Sequence, residues 1–257
     1  MLIVIDIGNT EVVLGLYDGE TLKQHWRLSS KVPRTEDEYW ILLESWLKMA
    51  HLSSSQIKGV VVSSVVPLLT SAFVEMARQY LHLEPIVVTA ETDTGLKILY
   101  DGPRTVGADR ICNAMAGYHL YKGPLIIVDF GTATTFDVIS EKGEYIGGVI
   151  SLGIVGTSQE LHRVATKLPK VDLVFPPKVV GNTTETSIQS GIFWGTVSMV
   201  NGMVNRIRKE MQWTRVHIIA TGGLASLIVA KSQVIEKTEP FLTLEGMRLI
   251  YQRNKHH

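Results

Sequence analysis

The chain has a single cysteine, Cys112, among 257 residues. One thiol cannot build an intrachain disulfide framework, which excludes the stapled secreted scaffolds and points to a reducing, cytoplasmic setting. Cys112 itself reads as a small core residue, since free cysteine is usually buried. Excess charge is lacking too. Lys and Arg number 25, as do Asp and Glu, so the formal net charge is zero. Without a strong positive field to displace counterions, no nucleic-acid partner is expected. No apolar run approaches the ~20 residues of a membrane span, so no membrane partner is expected either. The N-terminus, "MLIVIDIGNT", has no basic leader and sets Asp6 where a signal peptide needs apolar residues. The closing "KHH" reads as the stub of an expression tag, so His256 and His257 are set aside.

The familiar phosphate and metal signatures are missing as well. No G-x-x-x-x-G-K-[ST] occurs, which excludes a P-loop enzyme. No G-x-G-x-x-G opens a helix after a strand, which argues against a dinucleotide fold. Neither H-E-x-x-H nor C-x-x-C occurs, and His119 and His162 sit on predicted helices without ligand spacing. Trp40, Trp46, Trp194 and Trp213 read as packing residues.

What is present is apolar sequence, 45% of the chain, enough for one large core or two modest ones. "LIVID" suits a strand buried on both faces, and two further strands follow, joined at Asp18-Gly19. "TEDEYWILLESWLKMAH" predicts a helix with Thr35 and Glu38 as a capping box. "GVVVSSVV" predicts a buried strand, and Pro67 opens the next helix. The second half repeats this order. "LIIVDF" is a buried strand, and the two strands after it turn at Lys142-Gly143. "GADRICNAMAGYHLY" predicts a helix linking the halves, a long helix covers about 184–211, and "VHIIAT" is a further strand. Asp129 follows Asp6 by 123 residues, and Gly131 follows Gly8 by the same distance, the mark of a duplicated domain.

The repeated element, "DIGNT" and "DFGTATT", ends a buried strand on Asp and turns on Gly. Glycine lets a ligand approach the backbone, and the small polar residues add donors to a concave turn that suits phosphate. A carboxylate beside a phosphate needs a cation between them, so Asp6 and Asp129 make sense as metal partners. The alternative is two ordinary hairpins whose Asp residues cap turns.

The repeated Asp-x-Gly hairpin, together with "IIATGGLA", resembles the superfamily of actin, the heat-shock chaperones and the sugar and acetate kinases. Within it the chain is similar to the type III pantothenate kinases. The match runs nearly end to end, through "DIGNT", "RTEDEY", "SSVVP", "TGLKILYDGPRTVGADR", "DFGTATTFDVI", "IGGVI", "ATKLPKVDL", "GNTTETSIQSGIFWG" and "ATGGLA". The resemblance implies an α/β fold of duplicated ribonuclease H-like, actin-like ATPase domains. Each would be a mixed sheet flanked by helices, with an ATP cleft between them, and the division would fall at 1–115 and 116–257. The implied activity is ATP-dependent phosphorylation of pantothenate to 4′-phosphopantothenate, the opening step of coenzyme A synthesis.

The same resemblance implies the site. Asp6, Ile7, Gly8, Asn9, Thr10, Glu11, Val12 and Val13 would form the first phosphate loop, with magnesium riding on ATP near Asp6. Thr132 would contact ATP phosphate, Gly222 and Gly223 would lie against adenosine, and Asp129 would bind potassium or ammonium. Asp109 would act as general base. Tyr100, Gly107, Ala108, Arg110 and Thr184 would hold pantothenate, within a cytoplasmic homodimer whose substrate site includes contacts across the subunit interface. The residues of "VGADR" suit that chemistry: Asp109 can accept a hydroxyl proton, and the planar fork of Arg110 can hold an anion or a carbonyl. Gly107 and Ala108 leave room at a helix N-terminus. On spacing alone, Asp109 and Arg110 read equally as a solvated helix-start pair.

Two departures from the family pattern stand out. Leu152 replaces a proline, a change expected to loosen that loop, and Glu11 adds a carboxylate to the first turn and is expected to face solvent. The apolar residues of the helix at 184–211 exceed one stripe, which predicts that part of that face seeks a second copy of the chain. The alternative is a helix wholly buried in one subunit. Two other functions stay open: a regulatory or accessory protein on a kinase fold, and a kinase of another small hydroxylated acid.

Overall fold

The computed structural model describes residues 1–255; His256 and His257, and with them the tag reading, lie outside the described residues. The chain divides into two units, one of Met1–His119 together with the chain from Leu242 onward, the other of Leu120–Phe241.

The first unit opens with β1 (Leu2–Ile7), β2 (Glu11–Asp18) and β3 (Thr21–Ser29). Gly19, at φ +58°, supplies the left-handed residue that the β2–β3 turn requires. Helix α1 (Glu36–Met49) begins at the predicted capping box: Glu38 N–H donates to Thr35 Oγ1 at 3.3 Å, and Thr35 N–H to Glu38 Oε2 at 2.9 Å. Then come β4 (Gly59–Ser64), α2 (Pro67–Met76) with Pro67 in its first turn, β5 (Ile86–Val87), β6 (Lys97–Ile98) and α3 (Ala108–Tyr121). The sheet order is β3-β2-β1-β4-β5. β1 is therefore central, which is why its Ile3, Val4, Ile5 and Ile7 are fully buried.

The second unit contains β7 (Leu125–Phe130), β8 (Ala133–Ile139), β9 (Glu144–Leu152), α4 (Ile154–Val164), α5 (Thr184–Glu210), β10 (His217–Thr221), α6 (Ala225–Val229) and β11 (Lys237–Thr238). Among the strands of this unit the order is β9-β8-β7-β10-β11, the same arrangement as in the first unit. In both, the central strand pairs antiparallel with the next strand in sequence and parallel with a strand from the far side of a helical crossover. The 123-residue repeat is thus a repeat of topology.

Helix α5 differs from its sequence reading. Ile188, Ile192, Phe193, Val197, Val200 and Val204 are buried in the core of their own unit with Val128, Phe130 and Phe136, and Trp194, Met199 and Met203 pack against that core. The broad apolar face is covered within one chain, the alternative the sequence left open. The final helix, α7 (Leu242–Asn254), packs against β1 and β4 of the first sheet, so the chain beyond Phe241 belongs with the first unit. Its approach needs glycine. A Cβ on Gly246 would collide with the Cys112 carbonyl of α3, and one on Gly59 with the Tyr251 ring.

Candidate active site

Asp6 is the last but one residue of β1, in register with Val13 on β2 and Ser63 on β4. Ser63, fully buried, donates its hydroxyl to Asp6 Oδ1 at 2.9 Å. The turn that follows is closed by Gly8 N–H to Glu11 O at 3.0 Å. Ser30 ties it down, donating Oγ–H to Gly8 O at 2.6 Å and N–H to Thr10 O at 3.0 Å. Asn9 and Thr10 are left exposed at the tip. The side chains of Ile7 and Val12 lie in the core, so only their backbone is open to a ligand, and Val13 is half-buried. Glu11 is exposed and sits 3.6 Å from Arg27 on the flank of the hairpin, in agreement with its expected solvent-facing position.

Asp109 lies in the first turn of α3, where Arg110 N–H donates to its Oδ1 at 2.8 Å. Burial pushes its pKa above the ordinary aspartate range, against the opposing pull of that backbone N–H and of the Arg110 charge. Burial wins because a carboxylate deprived of water holds its proton more tightly. Gly107 makes the fit possible, since any Cβ there would collide with Asp109 Oδ1. Arg110 is 9% exposed, so the reading of a solvated helix-start pair does not describe this turn. One turn along α3, the fully buried Cys112 thiol is pushed well up, first by burial and then by the charges of Asp6 and Asp109. Gly107 and Ala108 also line a cavity of about 580 Å³, with an exposed Arg104–Glu91 ion pair of 2.6 Å at its rim. Tyr100 is 38% exposed and is not among that cavity's lining residues.

The second hairpin repeats the first. Asp129 is the last but one residue of β7, in register with Thr135 on β8 and Thr221 on β10. Gly222 presses onto it at φ +93°; a Cβ there would lie 2.6 Å from Asp129 Oδ1 and from the Phe130 carbonyl carbon. Gly223 has open space around it. Gly131 and Thr132 are exposed. Behind them Gly153, the N-cap of α4, leaves no room for a Cβ, which would sit 2.8 Å from Gly131 O. Leu152 is the last residue of β9 and pairs with Ala133, so the strand ladder holds the backbone where the family has a proline. Thr184 begins α5, whose N-cap Thr183 accepts from Thr186 N–H at 3.1 Å. With Thr157, Asn182 and Ser187 it lines a groove of about 770 Å³.

Among the described residues no group of three or more His, Cys, Asp or Glu could hold a metal ion alone. Magnesium keeps waters and is commonly held by one or two carboxylates plus substrate phosphates, and the Asp6 carboxylate is a donor of that kind. Ser63, Ser30 and Gly153 were not singled out from the sequence. Ser63 stands within the motif "SSVVP", and strand alternation would have set it on the Asp6 face.

The family model described as type III pantothenate kinase matches residues 2–206. The type III pantothenate kinase of Geobacter sulfurreducens is 49% identical over 255 residues, covering 99% of this chain and 100% of that protein. That of Exiguobacterium sp. is 48% identical over 255 residues, covering 99% and 100%. Among solved structures, the ROK hexokinase of Thermus thermophilus aligns with a TM-score of 0.53 at 11% identity, covering 98% of this chain and 99% of that one. That likeness is one of fold, the actin-like, sugar-kinase arrangement of mixed sheets flanked by helices.

Proposed function

The chain belongs to the type III pantothenate kinase family, and we propose that it phosphorylates pantothenate with ATP in coenzyme A synthesis, with Asp109 as the general base. The observation that carries the residue assignment is the Asp109 carboxylate in the first turn of α3, its proton affinity raised by desolvation, next to Gly107 and Ala108, which line a cavity. Phosphoryl transfer asks mainly for positioning and charge neutralisation. A carboxylate that burial has made more basic takes the proton of an attacking hydroxyl more readily than a solvated one. Gly107 and Ala108 keep the helix start open to the substrate, and Arg110, Tyr100 and Thr184 complete the pantothenate contacts. The backbone of residues 6–13, with Thr132, Gly222 and Gly223, binds ATP. Asp6 would hold magnesium, which would supply neutralisation of phosphate charge. A coupled ADP-release assay with pantothenate and a panel of hydroxylated analogues tests the reading. Release that depends on pantothenate above every analogue is expected; preference for another acid, or none, overturns it.

Asp129 is the proposed monovalent-cation partner. Turnover is expected to rise several-fold in potassium or ammonium over sodium, and Asp129→Ala is expected to abolish that response. Equal wild-type rates in the three salts would reject the assignment.

The active unit is proposed to be a cytoplasmic homodimer. The support now comes from another face of α5. Thr184, Ser187, Gly191, Gly195 and Ser198 are all exposed at helical spacing, and a Cβ on Gly191 or Gly195 would meet nothing. Small residues so spaced let another helix backbone approach closely. Gly195→Trp is expected to shift the mass measured by light scattering from two chains to one and to lower specific activity together with it. A Trp variant that keeps the wild-type mass and rate would count against the dimer. No helix among the described residues is long and apolar enough to cross a membrane.

A further inference from the structure

The hydroxyl beside Asp6 has a counterpart. On the parallel neighbour of each central strand, the position in register with the hairpin Asp carries a buried hydroxyl: Ser63 opposite Asp6 and Thr221 opposite Asp129. Paired positions on parallel strands direct their side chains to the same face of the sheet, so each hydroxyl lies on the face of its carboxylate. In the first unit the contact is a hydrogen bond of 2.9 Å from Ser63 Oγ to Asp6 Oδ1, with Ser63 fully buried. Cys112 on α3, one turn from Asp109, is fully buried as well. The Cys112 backbone is in turn backed by α7, where only glycine fits at position 246.

We infer that Ser63 is a positioning residue: its hydroxyl fixes the Asp6 carboxylate for the magnesium ion that accompanies ATP. The inference rests on Asp6 being the magnesium partner. Its physical content is orientation. A carboxylate at a strand end can rotate about two side-chain bonds, and a hydrogen bond from a neighbour without free space of its own selects one orientation. A bond from a hydroxyl to a charged acceptor is stronger than one between neutral groups, and its loss is felt where the charge is used. Removing the Ser63 hydroxyl therefore leaves the charge of Asp6 in place and takes away one constraint on its orientation. The effect should fall on magnesium, and not on the nucleotide by itself.

The test is equilibrium binding of a non-hydrolysable ATP analogue to wild type, Ser63→Ala and Ser63→Thr, by calorimetry, with magnesium and again with EDTA. With magnesium, Ser63→Ala is expected to bind roughly tenfold more weakly than wild type. In EDTA the two should coincide, and Ser63→Thr, which keeps the hydroxyl, should restore the magnesium-dependent part. In steady state, half-saturating magnesium should rise in the same proportion while KM for pantothenate stays put. An equal weakening in magnesium and EDTA would mean a merely structural role and would overturn the inference. So would a Ser63→Ala protein that binds like wild type in both. Thermal melts of each variant identify misfolding, and the alanine data decide the matter should the extra methyl of threonine prevent folding. The binding readout needs no acceptor, so it stands or falls separately from turnover of pantothenate.

Discussion

Asp109→Asn is expected to lower kcat by roughly 10²–10⁴, the range for losing a general base, while the protein folds and melts at least as high as wild type. Asparagine keeps the shape and can still accept the Arg110 N–H that meets Asp109 Oδ1 at 2.8 Å. It cannot take a proton from a substrate hydroxyl. Burial raises the affinity of Asp109 for its proton in the folded state. As pH rises, the unfolded chain therefore releases that proton first. The stability that a raised pKa confers is complete below the unfolded value and is lost as pH climbs through the folded one. Below that window aspartate is protonated in both states and asparagine is its near equivalent. Above it, only the wild type carries a buried charge. The melting temperatures of the two proteins should therefore converge in acid and separate at neutral pH, with the Asn variant higher. The acid limb of the wild-type kcat profile should lie above the ordinary carboxylate range. A variant that turns over near the wild-type rate would remove Asp109 as the base. A melting gap that narrows as pH rises would contradict the burial argument.

Gly222→Ala is expected to cost about 2–5 kcal/mol of stability, since a left-handed φ disfavours any Cβ by ~1–2 kcal/mol and overpacking adds ~1–3 kcal/mol. The new methyl would sit 2.6 Å from Asp129 Oδ1 and equally close to the Phe130 carbonyl carbon. The Phe130 backbone cannot yield easily, because Phe130 is buried and paired with Thr134 on β8, so the Asp129 carboxylate has to move. The displaced carboxylate should also lose its response to potassium. Gly223→Ala is the control: nothing lies within 4 Å of its added methyl, and a change near zero is expected. Chemical denaturation of the two variants beside wild type checks the contrast. Equal stability of Gly222→Ala and Gly223→Ala would show that the turn does not press on Asp129 as described.

The amino-acid sequence by itself determined the strands, the turns and the duplication. A strand buried on both faces must be apolar throughout, so "LIVID" and "LIIVDF" announce central strands without reference to anything distant. Asp18-Gly19, the Thr35–Glu38 box and Pro67 are equally local, because their bonds close within a few residues. The repeated Asp-x-Gly hairpin carried the fold class and the candidate phosphate turns, and the motif "GADR" carried the proposed base. Tertiary structure alone decided which surface covers each apolar face. Periodicity marks a face as apolar but cannot name its partner, and so the broad face of α5 turned out to be filled by Phe130, Phe136 and their neighbours within one unit. For the same reason nothing local announces that α7 returns to β1 and β4. The proton affinity of Asp109 was also hidden, since it depends on how much water the folded chain removes from one carboxylate. So was the link from Ser63 to Asp6, because 57 residues of chain separate two side chains that parallel pairing brings to 2.9 Å. Local chemistry is written residue by residue, whereas desolvation and long-range contact exist only once the chain has closed on itself.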